Sequence, residues 1–234
     1  MGKNISRNYS CDVSAIAFDL DGTLIDSLPD LVAAAQTTLK KLGMSSVSPE
    51  QVALCVGNGL DVLVEKVISM AADQRDVSSD IFTKAKLIFK REYQRNGTRQ
   101  SRVYSGVKET LRLLSDLPIK LACVTNKPKL NAESILEFYE LKKYFHLILG
   151  GDSLRERKPH PSVMLKVSES FNIDTKKILV IGDSRVDIET ARSVDSPVFC
   201  VSYGYHGNDS LENLGANAIV DSVRDIFRLI KICK

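Results

Sequence analysis

Three short runs, residues 13–18, 119–124 and 178–181, are apolar at nearly every position, and each leads into a polar residue: Asp19, Thr125 and, one glycine later, Asp183. A strand with one wet face alternates apolar and polar residues. A run that does not alternate is buried on both faces, the habit of a parallel sheet covered by helices. From Ser105 to the end, helical and extended patterns take turns. Helices are expected from Val107, from Pro128, after Pro161 and near Val186, with further strands at residues 147–151, 198–201 and 218–220. Val223, Ile226, Phe227 and Ile230 mark a closing amphipathic helix. Such alternation predicts an α/β fold, a doubly wound parallel sheet of Rossmann-like kind with right-handed crossovers.

One interval breaks the rhythm. After Ser27 the pattern stays helical: Leu28, Leu31, Val32, Ala35, Leu39 and Leu42 form one apolar stripe, closed by Gly43 as a C-terminal cap. Ser48-Pro49-Glu50-Gln51 opens a second helix with a capping box and proline at its first position. Leu60, Leu63, Val64, Val67 and Ile68 make a third stripe. Ile81, Phe82, Ala85, Ile88, Phe89 and Tyr93 make a fourth, ending at Asn96-Gly97. The 234 residues allow one large domain or a core with a small second one. The helical interval favours the second arrangement: an α/β core of residues 12–27 and 102–234, a helical domain of residues 28–101 inserted into it, and a disordered start over residues 1–11.

Lys+Arg 32 against Asp+Glu 29 leaves a formal charge of +3, which predicts no nucleic-acid partner and no anionic membrane partner. No apolar run approaches the ~20 residues of a membrane span. Met1 to Ser10 is polar and lacks the core of a secretion signal; its match to a short myristoylation pattern is read as chance. Cys11, Cys55, Cys123, Cys200 and Cys233 are odd in number and widely spaced, so neither a disulfide framework nor a zinc site is expected, and a cytoplasmic location fits.

Chemistry gathers where the apolar runs end. Asp19 and Asp21 are two apart, so an extended backbone points both to one side, and Gly22 lets the chain turn immediately after. The plain alternative is an Asx-type turn closing a strand. In a parallel sheet, however, Asp19, Thr125 and Asp183 share the carboxyl edge, where open α/β sheets bind ligands. Lys158 arrives from a neighbouring loop, and the amides of the Thr125-Asn126 turn are available as donors. Carboxylates crowded without Cys or His favour a hard cation such as Mg2+. Cation, hydroxyl, amides and lysine together suit a phosphate monoester. Each residue also has an ordinary reading: Thr125 as a strand-end hydroxyl, Lys158 as a solvated charge, Asp183 and Asp187 as helix-capping acids. His146 and His206 read as packing or surface residues, and His160, near Lys158, as a possible neighbour of the site.

The segments DLDGTLIDS (Asp19 to Ser27), VTNK (Val124 to Lys127), Lys158-Pro159 and GDSRVD (Gly182 to Asp187) resemble, in order and spacing, the four motifs of the haloacid dehalogenase-like hydrolase superfamily. That resemblance covers the chain from Asp12 onward and implies a helical cap in the inserted interval. It implies Asp19 as a nucleophile forming an aspartyl-phosphate and Asp21 as general acid and base. Thr125, Asn126 and Lys158 would bind the phosphoryl group. Asp19, the backbone carbonyl of Asp21 and Asp183 would ligate Mg2+, with Asp187 supporting. A carboxylate nucleophile is ionised at neutral pH, and a covalent intermediate divides one hard step into two. The acid two residues on favours phosphoryl transfer over attack on carbon.

Residues 56–65, Tyr104-Ser105-Gly106-Val107 and Tyr203-Gly204-Tyr205 are similar to the phosphoglycolate phosphatase group of that superfamily, departing from its pattern at His206, where asparagine is expected. The implied reaction is Mg2+-dependent hydrolysis of 2-phosphoglycolate to glycolate and phosphate by a monomer or homodimer. The substrate carboxylate would be read by a cap cation among Lys40, Lys41, Lys66, Lys84 and Lys86. The alternatives are a phosphatase of other small phosphorylated metabolites, a phosphosugar mutase, and, outside enzymes, a receiver-like signalling domain. The last has no use for Asp21 or for a large insertion.

Overall fold

Side chains of a strand point alternately to its two faces, and the apolar runs use both. The computed structural model describes residues 10–72, 77–96 and 98–232. The chain opens with β1 (Cys11–Val13), β2 (Ala15–Phe18) and β3 (Ile25–Asp26), followed by helices α1 (Leu28–Lys41), α2 (Pro49–Ala53), α3 (Leu60–Ala71) and α4 (Ser79–Asn96). It continues through β4 (Arg102–Val103), α5 (Val107–Ser115), β5 (Lys120–Val124), α6 (Lys129–Phe138), β6 (Leu147–Leu149), α7 (Ser162–Phe171), β7 (Ile178–Gly182) and α8 (Arg185–Arg192). It closes with β8 (Val198–Val201), α9 (Leu211–Leu214), β9 (Ala218–Val220) and β10 (Ile230–Ile232).

The main sheet has six parallel strands in the order β6-β5-β2-β7-β8-β9. On one face Ile16, Phe18, Leu121, Cys123, Leu179 and Ile181 pack against α5 and α6. On the other, Ala15, Ala17, Ala122, Val124, Ile178 and Val180 meet α7 and α8, where the small alanines leave room for Met164 and Phe171. This is the doubly wound arrangement the alternation predicts. No helix among the described residues is long and apolar enough to cross a membrane.

Three expectations near the chain ends are corrected. The first run divides at Ser14, and Cys11, expected within the disordered start, opens β1, which pairs with β10 in register Cys11↔Ile230. Residues 1–9 lie outside those described. The closing helix is instead a 3-10 turn over Val223–Arg228 followed by β10. In a 3-10 turn residues three apart eclipse, so Val223 and Ile226 are buried together while Ile230 is free to pair with Cys11. Gly97, expected to end α4, lies outside the described residues, as does Cys233.

The four inserted helices have an apolar cluster of their own, including Leu31, Leu39, Val64, Ile68, Phe89 and Tyr93. The expected capping box is present: Ser48 accepts from the Gln51 amide and the Gln51 side chain accepts from the Ser48 amide. Both crossings between the helices and the sheet are tied together. β3 and β4 pair antiparallel, and the buried Asp30 carboxylate accepts from the Gln100 amide (3.2 Å), the Ser101 amide (2.7 Å) and Ser101 Oγ (2.5 Å). Tyr139, which caps the C-terminus of α6, donates to the Ser101 carbonyl.

Removing the Asp30 acceptor strands buried donors on the second crossing. Asp30→Ala is expected to lower the unfolding free energy by about 3 kcal/mol, whereas Asp80→Ala on the exposed first turn of α4 changes it by less than about 0.5 kcal/mol. Urea unfolding of the two variants checks this, and equal small losses would show that Asp30 does not hold the crossing.

Candidate active site

Asp19, Thr125 and Asp183 are each the first residue beyond a strand, β2, β5 and β7 respectively. Phe18 of the central strand β2 sits opposite both Cys123 and Ile181, so the three residues leave the sheet side by side. The Asp19 amide donates to the Ile181 carbonyl (2.8 Å) and the Thr125 amide to the Leu149 carbonyl (2.9 Å), which sets both by backbone alone. Thr125 therefore has no free amide to offer, unlike the expected Thr125-Asn126 donor pair, and its Oγ accepts from the Lys127 amide (3.2 Å).

Beyond Asp19 the chain turns through Gly22 at φ +90°, a conformation that favours glycine. A Cβ at Gly22 would lie 2.3 Å from Asp183 Oδ2, and one at Gly204 2.1 Å from Asp183 Cβ. Asp183 is thus clasped between two bare backbones, while Thr23 Oγ donates to its Oδ1 (2.9 Å) and the Tyr205 amide to its Oδ2 (2.6 Å). Tyr205 also ties this acid to the first crossing, donating through its hydroxyl to Asp26 (2.7 Å) and accepting from the Leu28 amide (3.0 Å).

Lys158 lies among the carboxylates. Its Nζ donates to Asp19 Oδ1 (2.7 Å), Asp187 Oδ1 (2.7 Å) and the Val124 carbonyl (2.9 Å). Burial alone would push this ammonium down, but Asp187 and Asp19 outweigh it and hold Lys158 above the usual lysine range. For Asp19 burial is the largest effect and exceeds the opposing pull of Lys158, raising its carboxyl from 3.8 to about 7. Asp183 is raised well above the ordinary value by burial first, then by Asp187 and Asp19. Asp187 caps α8, its Oδ2 accepting from the amides of Asp183 (3.2 Å) and Ser184 (3.1 Å) and from Ser184 Oγ (2.7 Å). One oxygen each of Asp19, Asp183 and Asp187 lie within 4.8 Å of one another. These three buried acids can hold a metal ion, and a set of oxygens without Cys or His suits a hard divalent cation.

Asp21 faces a different partner. Its Oδ1 accepts from Ser27 Oγ (2.6 Å) and from Lys127 Nζ (2.8 Å), and its Oδ2 from Lys127 Nζ (2.9 Å). The Lys127 ammonium lies 5.0 Å from the centre of the Tyr93 ring, which α4 brings from the inserted helices. Burial would push Lys127 down; Asp21 and Tyr93 beside it outweigh this and hold it above the ordinary range. Asn126 reaches the same crevice, but both hydrogens of its side-chain amide go to backbone, the Gly57 carbonyl (2.9 Å) and the Lys158 carbonyl (3.0 Å). Its side chain braces two loops and has no donor left for a phosphate; the part expected of Asn126 in binding phosphate concerns its backbone amide.

A cavity of about 40 Å³ remains between Asp19, Asp21, Thr125 and Lys158 below and Leu60 and Tyr93 above. None of Lys40, Lys41, Lys66, Lys84 and Lys86 lines it; Lys41 pairs with Glu92 and Lys86 with Glu65, each at 2.6 Å. The cations lining the crevice are Lys127 and Lys158. His160 is exposed beside Ser162, His146 accepts from the Leu121 amide, and His206 contacts the Ser202 carbonyl, so no histidine lines the crevice. Sequence reasoning assigned no task to Lys127, Ser27 or Tyr93. A lysine following a strand-end Thr-Asn is the available signal, but a turn's direction decides whether it meets water or Asp21.

The family of haloacid dehalogenase-like hydrolases matches residues 16–201. The phosphoglycolate phosphatase of Vibrio parahaemolyticus is 36% identical over 222 residues, spanning 94% of this chain and 97% of that protein. The phosphoglycolate phosphatase of Nitrosospira multiformis is 36% identical over 224 residues, 96% of this chain and 98% of that one. Among solved structures, that of a predicted phosphoglycolate phosphatase from Haemophilus somnus superposes with a TM-score of 0.89 at 37% identity, covering 92% of this chain and 97% of that one. Matched along most of its length in both sequence and fold, the chain belongs to the haloacid dehalogenase-like hydrolase family.

Proposed function

We propose that this protein is a Mg2+-dependent phosphomonoesterase that hydrolyses 2-phosphoglycolate to glycolate and phosphate through an aspartyl-phosphate. The observation that carries the reaction type is the pairing of two differently held carboxylates in one crevice: Asp19 against Lys158, and Asp21 against Lys127 and Ser27. Substrate identity rests on the likeness to phosphoglycolate phosphatases along nearly the whole chain. A cavity of about 40 Å³ beneath an apolar lining also favours a small substrate.

In this reading an Asp19 carboxylate oxygen attacks phosphorus as the bond from phosphorus to the glycolate oxygen breaks, and Asp21 gives its proton to that leaving oxygen. Asp21 then takes a proton from water as the water oxygen attacks the same phosphorus, releasing phosphate and restoring both carboxyl groups. Thr125 Oγ orients the phosphoryl group, while the Lys158 ammonium, its three hydrogens taken by Asp19, Asp187 and the Val124 carbonyl, offsets the charge as a nearby cation. Asp19, the Asp21 backbone carbonyl and Asp183 would hold Mg2+, which supplies positive charge to a phosphoryl oxygen. Asp187, whose carboxylate is taken up by Lys158 and the start of α8, supports that set. Residues 28–101 serve as a cap whose Gly57 loop, tied to Asn126, closes the crevice against water.

A phosphate-release screen over small monoesters with Mg2+ tests the reading. Phosphoglycolate is expected to lead the profile, and Asp19→Asn to reduce turnover by at least about 1,000-fold. Near-normal activity in Asp19→Asn would remove Asp19 as nucleophile; a flat profile would remove phosphoglycolate and leave the chemistry standing.

Metal binding should be linked to protons. Asp19, raised to about 7, and Asp183, also raised, hold protons in the metal-free fold that the unfolded chain has already released. The metal-free fold therefore loses stability as pH rises from the unfolded carboxylate range toward about 7, because there the native state binds more protons than the unfolded one. Mg2+ must displace those protons, so its stabilising effect is expected to grow from about pH 6 to about pH 8. Thermal melting with and without Mg2+ across that window checks the sign, and a pH-independent gain would contradict this assignment.

A further inference from the structure

We infer that Lys127 is the positioning residue for Asp21, gripping the carboxylate so that its less encumbered oxygen, Oδ2, is left to exchange the proton. The inference rests on the phosphatase reading above and assigns an atom within it. Oδ1 is held twice, by Ser27 Oγ at 2.6 Å and Lys127 Nζ at 2.8 Å, and has no lone pair to spare in the carboxylate plane. Oδ2 is held once, by Lys127 at 2.9 Å, and keeps acceptor capacity toward the crevice that Asp21 lines. A carboxylate gripped at both oxygens by one ammonium and at one of them by a hydroxyl cannot rotate freely. Oδ2 is therefore presented at a constant place to the leaving oxygen and then to water.

Lys127 is itself held. It is 7% exposed, its amide bonds to Thr125 Oγ, and the Tyr93 ring covers its ammonium at 5.0 Å. Tyr93 belongs to α4, and Asn126, one residue before Lys127, is bonded to the Gly57 carbonyl of the same insertion. The grip on Asp21 is thus assembled from both parts of the chain and is complete only while the inserted helices rest on the sheet edge. Lys158 is not an equivalent group: its contacts are Asp19, Asp187 and the Val124 carbonyl.

Leaving-group dependence tests this. An alkyl leaving oxygen needs a proton as its bond breaks, whereas a nitrophenolate does not, so a misplaced Asp21 harms only the former in kcat/KM, which reports phosphoenzyme formation. With Mg2+, Lys127→Met is expected to lower kcat/KM for 2-phosphoglycolate by about 100-fold and for p-nitrophenyl phosphate by less than about threefold. Lys127→Arg should recover part of the ratio, and Ser27→Ala should shift it in the same direction by less. Unfolded protein lowers both substrates alike, so the ratio survives partial misfolding; should Lys127→Met be insoluble, the Lys127→Arg and Ser27→Ala ratios decide. Equal losses on both esters would overturn the inference in favour of a purely structural lysine. So would a KM rise confined to carboxylate-bearing substrates, which would make Lys127 a substrate contact. If the unaltered chain cleaves neither ester, the phosphatase reading fails. If Asp21→Asn shows the selective loss and Lys127→Met does not, the inference fails alone.

Discussion

Buried carboxylates crowded against one another dominate this molecule. Asp19, Asp183 and Asp187 are each at most 9% exposed and their oxygens lie within 4.8 Å. Ionised acids so placed are tolerated only when paired and hydrogen-bonded. The chain answers with Lys158, with backbone amides aimed at Asp183 and Asp187, and with a donor set that fits a divalent cation. Burial still holds the Asp19 and Asp183 carboxyls above their ordinary range, outweighing the partners that pull them down. Buried acids held in this way recur at functional sites, where charge must be met as it develops.

The rest of the fold keeps this crowd in register. Parallel pairing on both sides of β2 sets Asp19 and Asp183 on neighbouring strands, and alternating side chains anchor β2 in two apolar layers. Gly22 and Gly204 contribute by having nothing beyond Cα: a methyl at either place would overlap Asp183. Stability and chemistry therefore share residues here. Tyr205 shows it most directly, since its amide holds Asp183 while its hydroxyl holds the crossing at Asp26 and Leu28.

Much of this is legible in the sequence, for identifiable reasons. The unalternating runs announce buried parallel strands, and a parallel sheet brings its carboxyl ends together, so Asp19, Thr125 and Asp183 can be assembled without coordinates. The capping box at Ser48 and Gln51 is likewise readable because it is local. What escapes is what distance in the chain decides. Val223, Ile226 and Ile230 keep a helical spacing, yet pairing with Cys11 draws the last of them into a strand. The Asn126 side chain looks free until its amide is seen bonded to Gly57 and to Lys158. The inserted lysines look available until two are found paired with Glu92 and Glu65.

Lys127 is the most instructive of these cases, because the tetrapeptide containing it is recognisable and its orientation is not. Thr125, Asn126 and Lys127 are consecutive, yet one faces the crevice with a hydroxyl, the next joins two loops, and the third turns back to Asp21. Two lysines and two carboxylates are thereby sorted into separate pairs, Lys158 with Asp19 and Lys127 with Asp21. Each ammonium is buried and above its ordinary range, so each stays charged. Separate pairing matters physically. A single cation shared by both acids would tie the position of one to the state of the other, whereas two cations let the two carboxylates change state independently, as the proposed division of labour between Asp19 and Asp21 requires.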